Sequence, residues 1–195
     1  MSNALFIKRL GAIIIDILLL SLIANLVSGI FINKQDTKKL SDQEIQLLTD
    51  YRDDVIDAET FMENATSINY ESSKLLIPYS IIYLFLSIIY FVIYQKQSGQ
   101  TLGKKILKIK VKSEDADLTM NQMVIRGLII NGIFFNIINL AILLFLPKTL
   151  YLNAYTSIEL VKYSLYIVIA LMVMFRKDRR GLHDIICHTK VVNVK

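Results

Sequence analysis

The sequence predicts an all-α membrane protein: a four-span antiparallel transmembrane helical bundle carrying an acidic extracytoplasmic helix and a small cytoplasmic β pairing. Three observations point there. Apolar runs of membrane length recur along a 195-residue chain that is 54% hydrophobic. Bases and acids segregate onto alternate connections between those runs. A stretch in which lysine and aliphatic residues strictly alternate has a mate at the C-terminus. Together they describe one membrane domain over residues 1–195, with spans at about 10–32, 75–94, 124–146 and 158–175.

The first run, Leu10 to Ile32, is about 35 Å of helix at about 1.5 Å per residue, enough for a hydrocarbon core of about 30 Å. It holds Asp16 roughly 9 Å inside, where a charged carboxylate costs on the order of 2.5–3.5 kcal/mol. An acid in that place faces a bundle interior or an aqueous cavity. Arg9 lies seven residues earlier on nearly the same helical face. Helical side chains lean toward the N-terminus, so Arg9 reaches out to the headgroups and Asp16 needs a partner from another span. The run contains Asp16 and lacks a small-residue exit before Asn33, which argues against a cleaved signal peptide.

Charge sets the orientation. Lys8, Arg9, the lysines of loop 95–123, Arg126 and the bases of tail 176–195 all fall on one side of an even number of spans, with fifteen bases against five acids there and seven against eleven opposite. The basic side is the cytoplasm, so both termini are cytoplasmic in a multi-pass protein of the cell membrane. The basic segments lie where anionic lipid headgroups meet them, which makes the bilayer their partner and nucleic acid not one. Cys187 is the single cysteine, and it falls on that side, so no disulfide framework exists.

The extracytoplasmic insertion, residues 33–74, carries ten acids against five bases. Ser41-Asp42-Gln43-Glu44 has the form of a capping box, followed by apolar residues at helical spacing. An acidic amphipathic helix is expected from about Asp42 to Glu63. Asn64-Ala65-Thr66 matches a glycosylation sequon, of consequence only in a eukaryotic secretory pathway. The second span, with Pro78 in its first turn, holds only weakly polar groups and is expected to be scaffold.

Gln97 to Lys112 passes from a glycine-bounded turn to an interfacial helix, Thr101 to about Lys108, and then to alternation, with Lys108, Lys110 and Lys112 on one face. That strand is expected to pair with 190–194. It is no phosphate loop: Gly99 and Gly103 are three residues apart rather than four, and Lys105 stands where a magnesium-binding hydroxyl is needed. Thr119 is the expected N-cap of the third span, which has Arg126 at its foot and Asn131, Asn136 and Asn139 inside. In the tail, His183, Asp184, Cys187 and His188 include metal-ligand spacings, but nothing elsewhere completes a zinc set.

The chain resembles the RDD family of small bacterial membrane proteins, named for one arginine and two aspartates. The resemblance rests on Lys8-Arg9-Leu10 with Asp16, on Gly99, Thr101, Gly103, Lys104 and Lys105, on Arg126, and on Arg180-Gly181-Leu182-His183-Asp184 with Thr189-Lys190-Val191-Val192. It covers both ends and the middle in order, and leaves out the insertion and the outer halves of the third and fourth spans. It implies that Arg9, Asp16 and Asp184 form the defining triad, and that the activity is transport or membrane support, with cation/proton exchange among its roles.

The expected site is a cluster of Arg9, Asp16, Arg126 and Asp184, joined by His183 and Asn131, at the cytoplasmic ends of the spans. Asp16 is expected to pair with Arg126, and Arg9 with Asp184 one layer nearer water. No nucleophile with a base, metal cage or cofactor loop points to an enzyme, so no cofactor and no metal are expected. Two functions follow. One is a small, oligomeric transporter exchanging monovalent cations for protons at Asp16, with the asparagines supplying neutral oxygens. The other is a non-catalytic membrane scaffold or partner-binding module whose Arg/Asp pairs are structural.

Overall fold

A computed structural model describes residues 2–114 and 117–194. Three helical stretches are long and apolar enough to cross a membrane: α1 (Phe6–Ser28), the run Ile77–Ser98, and α9 (Lys148–Phe175). The run Ile77–Ser98 comprises α4 (Ile77–Ile88), a π-helical turn (Ile89–Tyr94) and α5 (Gln95–Ser98). The third expected span is not one helix. α7 (Met120–Ile130) and α8 (Ile133–Phe145) meet at a bend of 59°, so a four-span bundle requires them to be one broken span. The break follows from Gly132, whose φ of +70° no helix interior accepts. α1 packs on α4, α4 on α8, and α8 on α9.

Two other expectations change at the far end of the bundle. The insertion is a helical hairpin rather than one helix, α2 (Lys34–Arg52) and α3 (Ala58–Leu75). Ser41 caps nothing. Asn33 caps α2 by accepting from the Gln35 N–H at 2.9 Å, and Asp57 caps α3 by accepting from Thr60 at 2.8 Å. Apolar periodicity runs on across residues 53–57, but the positive φ of Asp54 turns the chain there. The hairpin docks on the start of α9: Tyr70 stacks edge-on against Tyr151, whose hydroxyl bonds Ser73 at 3.0 Å. α9 begins ten residues earlier than the expected fourth span, so Glu159 lies well within it rather than near an end.

The opposite end is closed by a small cap. α6 (Leu102–Ile106) leads into β1 (Ile109–Ser113), and α10 (Leu182–Ile186) into β2 (Thr189–Asn193). The strands pair antiparallel with Val111 opposite Val191, so the alternating stretch meets the C-terminal segment it is expected to pair with. Ala4 donates to the Val191 carbonyl at 2.9 Å, so the N-terminus lies along β2. Ala4, Ala12, Ile109, Val111, Met123 and Val191 form the buried core beneath.

The two halves of the cap are copies of one unit, 80 residues apart (99 to 179, 108 to 188). Gly99 and Arg179 both have positive φ, as do Lys108 and His188. Glu114 donates to the His188 carbonyl and Val194 to the Lys108 carbonyl, two bonds that the same shift interchanges. The sequence repeats with them: Leu102 and Leu182, Ile106 and Ile186, Lys110 and Lys190, Val111 and Val191. Each unit follows an apolar helical run, Ile77–Ser98 in the first copy and α9 in the second, so the repeat is an apolar helix feeding a helix-turn-strand.

At Gly99 the left-handed backbone brings the position where a Cβ would stand to 2.4 Å from the Val111 carbonyl oxygen. Gly99→Ala is expected to cost at least about 2 kcal/mol, since a left-handed non-glycine residue alone costs of order 1–3 kcal/mol. A thermal-unfolding midpoint in detergent, lower than the parent's with helix content retained, checks this.

Candidate functional site

Two carboxylates organise the cap end, and they take different partners. Asp184 is fully buried near the start of α10. Its Oδ2 accepts from Arg9 Nη1 at 2.8 Å and from the Gly181 N–H at 3.3 Å. Its Oδ1 accepts from Arg126 Nη1, which also donates to Thr189 Oγ1 at 2.5 Å. Arg9 is held further by the Ala4 and Val191 carbonyls, at 3.3 and 3.4 Å. One acid therefore joins α1, α7 and α10 through two arginines.

Asp16 makes no ion pair with Arg126, contrary to the expected arrangement. Its partners are neutral donors. Oδ1 accepts from the Tyr90 hydroxyl at 2.7 Å and from the Gly103 N–H at 2.8 Å, and Oδ2 from Thr101 Oγ1 at 2.5 Å. Asp184 takes both cations instead, Arg9 from α1 and Arg126 from α7. A carboxylate accepting three hydrogen bonds has its desolvation offset without a counter-ion. The approach depends on Gly103: a Cβ there would stand 2.3 Å from the Ala12 carbonyl oxygen.

The second span is therefore more than scaffold. Its π-helical turn aims Tyr90 at Asp16, and the same hydroxyl accepts from the Leu102 N–H at 2.8 Å. Tyr90, Thr101 and Gly103 are site residues that sequence reasoning passed over, as is Lys104. The 80-residue repeat was the available signal, since it superposes Thr101 to Lys104 on Gly181 to Asp184.

Lys104 is 9% exposed and makes no ion pair among the described residues. Burial, reinforced by the charge of Arg126, pushes its amine down to about 7. His183, on α10, is buried with its Nε2 3.4 Å from Asp184 Oδ1, and its Nδ1 has no hydrogen-bond partner among the described residues. Burial pushes its imidazole down to about 3, so the ring is neutral at physiological pH. Burial works to raise the Asp184 carboxyl, but the charges of Arg126 and Arg9 hold it below the usual range.

Beside these groups lies a cavity of about 470 Å³ between α1, α7 and α9. Arg9, Lys104, Arg126 and His183 line one end, and Asn131 lines it where the third span breaks. Ile13, Ile17, Ile167 and Val173 make apolar walls, and Asp16 is not among the lining residues. Of the six expected site residues, the structure gathers Arg9, Arg126, His183 and Asp184 into one contact network. Asn131 faces the same cavity, and Asp16 binds the other half of the cap. A second polar contact sits deeper, where Asn139 donates to Glu159 Oε1 at 2.7 Å and Lys162 pairs with the same acid.

Removing the shared acid leaves two buried guanidiniums facing each other. Asp184→Asn is expected to cost about 3–5 kcal/mol, the usual range for breaking a buried pair, and adding Arg126→Gln should return part of it. Thermal midpoints of the parent, both single variants and the double variant measure that coupling.

His183 supplies a second test. Its folded value lies below its ordinary 6.5, so the unfolded chain binds the extra proton, and the stability present above pH 6.5 is lost as pH falls toward 3. The Asp184 contribution is lost at lower pH, below 3.8. Between pH 6.5 and 4 the parent midpoint should fall more steeply than that of His183→Asn, as a pH series of thermal melts would show.

Comparison with known proteins matches residues 3–188 to the model of the RDD family. No curated protein and no solved structure matches the chain.

Proposed function

The chain belongs to the RDD family, and from that membership and the cavity geometry we propose that it is a small, non-enzymatic transport protein of the cell membrane whose ligand is anionic. Its cap and both termini face the cytoplasm on this reading, because the cap carries the excess of lysine and arginine. The observation that carries it is the cavity itself. At the cytoplasmic end of the bundle, Arg9, Lys104 and Arg126 line a space of about 470 Å³ beside the break in the third span. Ligand sites of transporters are commonly built where a membrane helix is interrupted, and internal repeats are common in such proteins.

Cation/proton exchange through Asp16 draws less support. Both Asp16 oxygens are engaged by Tyr90, Thr101 and Gly103, and a cavity end lined by two arginines and a lysine, with no acid among the lining residues, offers a metal cation no carboxylate. In this account Asp16 is a positioning residue: it anchors α6, and α6 carries Lys104. The competing reading is a non-transporting membrane module, favoured by the full hydrogen bonding of both acids.

Proteoliposomes containing a pH dye separate these readings. They are challenged with sodium, lithium and potassium gradients, and in parallel with octanoate and octyl phosphate uptake. Anion uptake is expected, slowed about tenfold or more by Lys104→Gln, as loss of one charge-assisted contact implies. Cation-driven proton flux abolished by Asp16→Asn would restore the exchanger. No flux on either arm would leave the structural module.

A further inference from the structure

We infer that the cavity is a binding site for an anionic phospholipid of the cytoplasmic leaflet, its phosphate against Lys104 and Arg126 and an acyl chain between α1 and α9. This names the ligand of the site used for the transport reading, but it does not require that the ligand moves.

Three observations lead to a lipid rather than a water-borne anion. First, the site opens sideways. Ile17 on α1 and Ile167 on α9 both line it, yet they are 44% and 60% exposed at membrane depth, so the mouth gives onto the acyl-chain region. Second, the walls leading inward from that mouth are mainly apolar, as Ile13, Ala170 and Val173 show, and the neutral polar groups on them, Tyr163, Tyr166 and Asn131, carry no charge to draw in a small hydrophilic ion. Third, the charges at the inner end do not balance. Arg9 and Arg126 share the single charge of Asp184, and Lys104 has no ionic partner among the described residues. The buried Nδ1 of His183, also on the cavity wall, has no hydrogen-bond partner among the described residues. An anionic headgroup supplies what is missing, and a ligand anchored by its chain arrives through the side.

The volume agrees. About 470 Å³ falls within the range of ligand pockets, about 300–1,000 Å³, and takes a headgroup and the upper part of one chain while the remainder stays in the bilayer. The lysine suits the task because it lies at the cytoplasmic end of the bundle, level with the headgroups on the orientation proposed above. Gly103 lets α6 approach α1 closely enough to hold it there.

The chain contains no tryptophan, which makes a contact assay direct. A single reporter is placed at the mouth, Ile167→Trp, and a control on the exposed, unrelated face of α4, Phe85→Trp. Both full-length variants are reconstituted in phosphatidylcholine with brominated phosphatidylglycerol or brominated phosphatidylcholine at equal mole fraction. At Ile167→Trp, apparent affinity for the anionic lipid should exceed that for the zwitterionic one about fivefold, the factor expected for a single basic side chain near a headgroup. The control should show no such preference. Adding Lys104→Gln to the reporter should remove the preference and Lys104→Arg should keep it, and neither change breaks an ion pair.

Equal quenching by both lipids, equal preference at the two reporters, or preference surviving Lys104→Gln would each overturn the proposal. Displacement of the anionic lipid by millimolar glycerol phosphate would identify a free phosphate ester as the ligand and overturn the lipid assignment. A lipid preference with no flux in the transport assay would sink transport and leave this site standing.

Discussion

The fold depends on one buried carboxylate holding two arginines. Asp184 ties the first helix to the last short helix through Arg9 and to the third span through Arg126, closing a chain whose two ends are 175 residues apart at that contact. Burying charge is expensive, and a pair is stable only when geometry and further hydrogen bonds compensate for lost water. Here the compensation comes from the Gly181 amide, the Thr189 hydroxyl and the Ala4 and Val191 carbonyls. Those groups are placed by the start of α10, by β2 and by the N-terminal segment, so the ion pairs and the cap form together.

The repeat explains why there are two acids. Each copy of the helix-turn-strand unit presents the start of a short helix to the inside of the bundle, and each start is met by a buried carboxylate. In the second copy the acid is internal, Asp184. In the first it is supplied by α1, as Asp16, while the position equivalent to Asp184 is Lys104. The exchange of an acid for a base between copies breaks the symmetry of charge without breaking that of the backbone. It leaves a lysine at the cavity wall where the other copy has an aspartate locked between arginines.

That asymmetry links fold to proposed function. Both acids are fully engaged in holding helices, so the groups facing the open volume are cationic or neutral. The chemistry available to a ligand is therefore that of an anion receptor with apolar walls, and the lateral mouth between α1 and α9 puts it within reach of the bilayer. The family match establishes a membrane protein of known lineage. The charge at the cavity end supplies the direction in which a ligand is sought.

The sequence by itself determined the membrane class, the apolar runs, the β pairing and four members of the charged network, Arg9, Arg126, His183 and Asp184, because each is carried by a local signal. Hydrophobic length decides spans, period-two alternation decides strands, and an acid within an apolar run marks a polar interior. Local signals also misled. The Ser41 capping pattern is outweighed by Asn33 and Asp57, and the apolar period of the third span runs through a glycine that bends it. Tertiary structure alone decided which cation meets which acid. Arg126 goes to Asp184 rather than Asp16 because α10 packs on α7 and sets Asp184 and Thr189 within reach of its guanidinium. Asp16 does without an arginine because Tyr90, Thr101 and Gly103, 74 to 87 residues away in the chain, bring three neutral donors to it. Partner choice among buried charges is a property of distance after folding, and spacing along the chain carries no record of it.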